Sequence, residues 1–104
     1  MDKLLAKITD FWERRGLFKN PDLNGQLYKI DEEINEMIEA DLNFSRASSD
    51  DNRIELLREI GDVATALNNF AVMRNTSLET CLKLSHIKNE KRKGKFVNGE
   101  WVHE

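Results

Sequence analysis

One proline, Pro21, and five glycines are all that punctuate this chain of 104 residues. Those two residue types are the strongest helix breakers, so long stretches are free to follow their hydrophobic periodicity. That periodicity is helical. Leu4, Leu5, Ile8, Phe11 and Trp12 recur at three- and four-residue spacing and predict a first helix over about 3–15, ending near Gly16. Residues 17–24, with Asn20-Pro21-Asp22, read as a linker or a helix start. A second helix is expected over about 25–43, carrying Leu27, Ile30, Ile34, Met37 and Ile38 on one face. A Ser-rich loop, Phe44 to Asp50, offers Ser48 or Ser49 as the cap of a third helix over about 51–74. Thr76-Ser77-Leu78-Glu79 fits a capping box, which would open a fourth helix over about 77–93, stopped by Gly94. In the tail, Asn98-Gly99 lies between β-type residues and predicts a hairpin over about 95–103. The expected fold is all-α: four helices and a short C-terminal β-hairpin, in one domain spanning 1–104.

Composition narrows the function classes. With 34% charged and 39% hydrophobic residues, the chain is that of a soluble globular domain. A net charge of −3 gives no global attraction for nucleic acid or membranes, and neither partner is expected. No apolar run approaches the ~20 residues of a membrane span, and the first residues do not form a signal peptide. Cys81 stands alone, which excludes an internal disulfide and a cysteine-based zinc cluster. The expected location is cytoplasmic, and the Asn43-Phe44-Ser45 and Asn75-Thr76-Ser77 sequons are then chance matches.

The carboxylates carry the chemistry. At about 100° per residue, the apolar residues of the second helix span about 100° of arc, with Gln26, Lys29, Glu33 and Glu36 along one edge. Glu32 and Glu39 point away from that arc. The third helix has a wider apolar arc, about 200°, with Glu55, Glu59, Asp62, Ala66 and Asn69 in a narrow stripe outside it. Such width predicts burial against more than one neighbour, hence a homodimer or homotetramer. An isolated Glu-x-x-Glu is ordinarily a solvated face. Two such pairs on adjacent helices are different: carboxylates about 6 Å apart repel by roughly 3 kcal/mol at an effective dielectric of 20. Four of them call for a hard cation, Mg²⁺ or Mn²⁺, which also holds phosphate oxygens.

With these residues in place, the sequence resembles the MazG-like all-α nucleotide pyrophosphohydrolases. The family's Glu-x-x-Glu and Glu-x-x-Asp motifs correspond to Glu33-Ile34-Asn35-Glu36 and Glu59-Ile60-Gly61-Asp62, separated by 22 residues. Gln26-Leu27-Tyr28-Lys29-Ile30-Asp31-Glu32-Glu33 resembles its lead-in, and Asn89-Glu90-Lys91-Arg92 its closing region. The resemblance covers most of residues 4–95. It implies a four-helix MazG-like bundle in which Glu33, Glu36, Glu59 and Asp62 bind Mg²⁺ (Mn²⁺ in its place) and the metal binds a nucleoside triphosphate. It further implies attack by water on the α-phosphorus, giving nucleoside monophosphate and pyrophosphate, and a role in clearing unwanted deoxynucleotides. Lys29, Asn89 and Arg92 are the expected phosphate contacts, Phe11 and Trp12 the base platform, and Gln26 and Asn69 neighbours of the nucleoside.

Other features read more plainly. Lys88, Lys91, Arg92, Lys93 and Lys95 form a basic run that suits a helix C-terminus or a phosphate. Glu100 and His103 lie three apart in a strand, on opposite faces, and are no metal pair. His86 is expected on a helix surface. Two rival functions stand beside the pyrophosphohydrolase: a non-enzymatic helical oligomer, and hydrolysis of another phosphorylated nucleotide such as phosphoribosyl-ATP.

Overall fold

A computed structural model of the chain describes residues 2–104 and is all-α, with four helices followed by a two-stranded antiparallel hairpin. The elements are α1 (Asp2–Arg14), α2 (Leu23–Arg46), α3 (Asp50–Met73), α4 (Leu78–Glu90), β1 (Gly94–Val97) and β2 (Glu100–His103). α1 ends where Gly16 takes a left-handed φ of 86°, letting the Leu17 N–H turn back to the Trp12 carbonyl at 3.1 Å. α2 begins two residues before its expected start. Asp22 supplies the reason: its carboxylate accepts the Gly25 N–H at 2.9 Å and caps the helix.

α2 and α3 form the frame. Only Ala47–Ser49 separate them, because α2 runs on to Arg46 through what reads in sequence as a loop. So short a connection folds two helices into an antiparallel hairpin. Ser49 caps α3 by accepting the Asn52 N–H at 3.1 Å, and the Asn52 amide donates to the Ala47 carbonyl at 2.9 Å. At the far end of the hairpin, Gln26 Nε2 donates to the Ala66 carbonyl at 2.9 Å and fixes the register.

One buried amide joins the other helices to this frame. Asn68 is wholly buried on α3. Its Nδ2 donates to Thr9 Oγ1 of α1 at 2.9 Å, and its Oδ1 accepts the Leu78 N–H at the start of α4 at 3.1 Å. The cap of α4 is not the expected Thr76 but Ser77, whose hydroxyl accepts the Thr80 N–H at 3.2 Å. The Thr76 N–H instead closes the end of α3 on the Ala71 carbonyl at 2.9 Å, so it is not open to the Glu79 carboxylate as a capping box requires. The helix also stops at Glu90, short of the expected position 93.

The wide apolar arc of α3 is not covered within the chain. Ile54, Leu57, Ile60 and Leu67 are each at least 40% exposed. Among the described residues, the buried apolar side chains are Ala40, Ala66 and Ala71. The radius of gyration, 16.5 Å, exceeds the about 13 Å of a compact domain of this length. From Thr80 onward only Gly94 is even half-buried. The hairpin turns as expected at Asn98 and Gly99, with φ of 52° and 81°, pairing Phe96 with Trp101 at a ring separation of 5.4 Å. Gly94 is required there: a Cβ would run into the Val102 carbonyl and the Trp101 indole.

Candidate active site

The antiparallel register that sets Gln26 against Ala66 also sets one acidic pair against the other. Glu33, about two turns further along α2, meets Glu59 and Asp62 of α3, with carboxylate oxygens from all three within 4.8 Å of one another. A second group on the same rim joins Glu32, Glu33 and Glu36 at the same spacing. Glu33 belongs to both, so the four carboxylates singled out in sequence form one continuous cluster. Glu32 stays exposed, as its helical-wheel position predicts, yet its carboxylate reaches this rim and meets Lys29 Nζ at 3.3 Å. Glu55, not among the expected site residues, also belongs, through a hydrogen bond to Glu59. Its signal was its place one turn before Glu59 on the same stripe.

Burial is uneven within the cluster. Glu33 is only 7% exposed, and Lys29 Nζ pairs with its Oε1 at 2.9 Å. Its other oxygen, Oε2, is buried with no partner, and so is Glu59 Oε2. A buried carboxylate oxygen without a donor is costly. Two of them in one acidic cluster fit a divalent cation, which takes carboxylate oxygens as ligands.

The electrostatics point the same way. Burial, then the hydrogen bond to Glu55 and the charges of Asp62 and Glu36, push the Glu59 carboxyl up to about 7. The Asp62 carboxyl is raised by burial and by the charges of Glu33 and Glu55. Glu36 is raised chiefly by the charge of Glu33. Lys29 is held above its usual range by its bond to Glu33.

These shifts give a stability prediction. The folded chain holds the Glu59 proton more tightly than the unfolded chain, whose carboxyl sits near 4.5. The resulting stabilisation is complete below about pH 4.5 and is lost as pH rises through about 7. Without divalent cations the melting temperature should therefore fall across that window. Mg²⁺ or Mn²⁺ should raise it far more at pH 8 than at pH 5, since binding to the native state stabilises by mass action. A metal effect independent of pH, read by differential scanning calorimetry, would count against a metal site at these acids.

Beside the acids lies a cleft of about 400 Å³, lined by Trp12, Leu17, Gln26, Lys29, Glu33, Asp62, Thr65, Ala66 and Asn69. Six of the expected site residues are thus in one place. Small side chains at Thr65 and Ala66 leave the room; Leu17 and Thr65 had no distinguishing signal in the sequence. Asn69 is 4% exposed, and its Oδ1 is buried without a partner. Phe11 stands just outside, edge-on to Trp12 at 5.2 Å, in an adjoining depression shared with Lys7 and Asp62. Arg15 covers the Phe11 ring at 4.4 Å. Neither Asn89 nor Arg92 lines the cleft of its own chain. Asn89 Nδ2 reaches Ser85 Oγ on its own helix at 3.5 Å, and Arg92 is exposed beyond the end of α4. His86 pairs with Glu90 at 2.9 Å on the α4 surface, as expected.

The chain matches no protein-family model, no curated protein and no solved structure. Among the described residues, no helix is long and apolar enough to cross a membrane.

Proposed function

We propose that this chain is a MazG-like, Mg²⁺-dependent nucleoside triphosphate pyrophosphohydrolase that assembles as a homodimer or homotetramer. One observation carries the reading: two carboxylate pairs from antiparallel helices converge beside a cleft, and two of their oxygens are buried without a donor. Glu33, Glu36, Glu59 and Asp62 are the residues that would hold Mg²⁺, or Mn²⁺ in its place. When bound, the metal neutralises phosphate charge and polarises the reacting phosphoryl group.

The remaining roles belong to the chain's own side chains. Lys29 anchors Glu33 and keeps that carboxylate aimed into the cluster. Trp12 offers a ring face at the mouth of the cleft for the nucleobase. The Gln26 and Asn69 amides supply polar contacts to the nucleoside, and the unpartnered Asn69 oxygen gives that contact a reason. Among the described residues no serine, cysteine or histidine joins the acids or lines the cleft, which supports water as the attacking group. Phosphoryl transfer of this kind asks the protein for positioning and charge stabilisation more than for covalent help.

The test is a panel of ribo- and deoxyribonucleoside triphosphates with Mg²⁺, scored for pyrophosphate and repeated in EDTA. Activity should vanish in the chelator and return with Mg²⁺. Hydrolysis in ¹⁸O-water should label the nucleoside monophosphate and leave pyrophosphate unlabelled. Orthophosphate with a nucleoside diphosphate would instead make the chain a γ-phosphatase. Turnover of phosphoribosyl-ATP alone would move the substrate class, and an inert chain would leave the helical-oligomer reading.

A further inference from the structure

We infer that residues 80–104 are an arm that packs on a second copy of this chain and carries its basic stretch to that copy's acidic cleft. The packing stands on the fold alone; the delivery of cations to bound phosphates rests on the pyrophosphohydrolase reading.

The surface is too large for a free-standing domain. A compact monomer of 12.1 kDa exposes about 6,000 Å². This chain exposes 8226 Å². The excess, about 2,200 Å², is what one copy would contribute to an extensive homodimer rather than to a weak contact, since standard interfaces take ~800 Å² from each side. The arm accounts for part of it. Leu82, Leu84 and Ile87 are 47%, 65% and 52% exposed on α4, and Phe96 is 69% exposed in the hairpin. α4 packs chiefly on α3.

A receiving surface of matching chemistry lies on the body. Between α2 and α3 runs an apolar groove of about 290 Å³, lined by Met37, Ile38, Leu42, Leu56 and Ile60 with Asp41 at its edge. Charge selects the same pairing. Residues 80–104 carry six Lys and Arg against three Glu, whereas residues 1–79 carry ten against sixteen Asp and Glu. Arm attracts body, and body repels body.

The cleft is also short of cations. Lys29 is the one cation among the described residues lining it, and it is already engaged by Glu32 and Glu33. Lys7 borders only the adjoining depression. A triphosphate in a cleft rimmed by carboxylates needs further positive charge. Lys88, Lys91 and Arg92 provide it, and among the described residues no salt bridge in their own chain engages them.

Two experiments decide this in the full-length chain. In sedimentation equilibrium at micromolar concentration, wild type should run as a multiple of 12.1 kDa. The double variant Leu84→Asp/Ile87→Asp should run as a monomer with its helical circular dichroism kept. A monomeric wild type, or a variant that assembles unchanged, overturns the packing. For the delivery, copies bearing Arg92→Cys are mixed with copies bearing Glu32→Cys, both with Cys81→Ser, and treated with a short bismaleimide. A cross-linked pair of unlike copies supports the arm at the partner's cleft, and cross-linking no greater than with Asp2→Cys in place of Glu32→Cys overturns it.

Function in trans has its own readout. Glu59→Gln and the double variant Lys91→Glu/Arg92→Glu should each be inactive alone. Refolded together, they should regain about a quarter of wild-type turnover, because half the dimers are mixed and each has one complete site. No regain in dimers shown to be mixed overturns the delivery. An inactive wild type that still cross-links refutes the pyrophosphohydrolase reading and leaves the arm standing.

Discussion

Replacing Asp62 by Asn, or Glu59 by Gln, should lower triphosphate turnover by at least about 100-fold while the helical circular dichroism is unchanged. The magnitude follows from metal chemistry: altering even an outer partner of a metal ligand costs 10–100-fold, and these two are proposed as ligands themselves. The fold should survive because neither carboxylate ties one helix to another. Glu59 bonds its own helix neighbour Glu55, and its Oε2 is buried without a donor. Removing either charge relieves repulsion, so the metal-free melting temperature should hold or rise even as activity collapses. That opposite movement separates a site residue from a structural one. Glu39→Gln is the control, since Glu39 joins neither group of converging carboxylates, and it should change turnover less than twofold. A loss at Glu39 equal to that at Asp62 would mean that general surface charge, and not the cluster, drives activity.

Asn68→Ala should have the largest effect on stability. The side chain is wholly buried, and it links α1 to the start of α4 through Thr9 Oγ1 and the Leu78 N–H. Truncation leaves both partners unsatisfied and opens a small void, at about 2–4 kcal/mol together. For a domain of this size that is roughly 10 °C or more of melting temperature. Asn68→Asp keeps the acceptor for Leu78 but loses the donor to Thr9, and should fall between. An Asn68→Ala melting temperature within 2 °C of wild type would show that the joint does not hold the helices.

Both predictions use residues of α3, and the sequence distinguishes that helix's site residues from its structural ones poorly. Asn68 and Asn69 are the same residue type side by side. One is consumed in a helix joint, the other faces the cleft with an oxygen to spare. A helical wheel separates them by about 100°, but it cannot say which direction holds a neighbour. Glu32 makes the same point. The wheel sends it outward, yet a flexible side chain and a lysine one turn back return it to the acidic rim.

What the sequence determined by itself was everything set by local periodicity and local chemistry. With so few breakers, the apolar spacing leaves four helices as the only consistent reading. Asn98-Gly99 permits the left-handed turn of the hairpin, and Ser49 stands where α3 needs its cap. The acidic motifs were legible for the same reason: residues three apart on a helix share a face whatever surrounds them. The tertiary structure decided what depends on one helix meeting another. It chose Asp22 and Ser77 as caps and brought Glu33 against Glu59 and Asp62 through a three-residue turn. It also left Asn89 and Arg92 away from the acidic cleft of their own chain, beyond a helix start that Asn68 fastens to α3. Periodicity gives a helix its faces, and only packing says which face meets water.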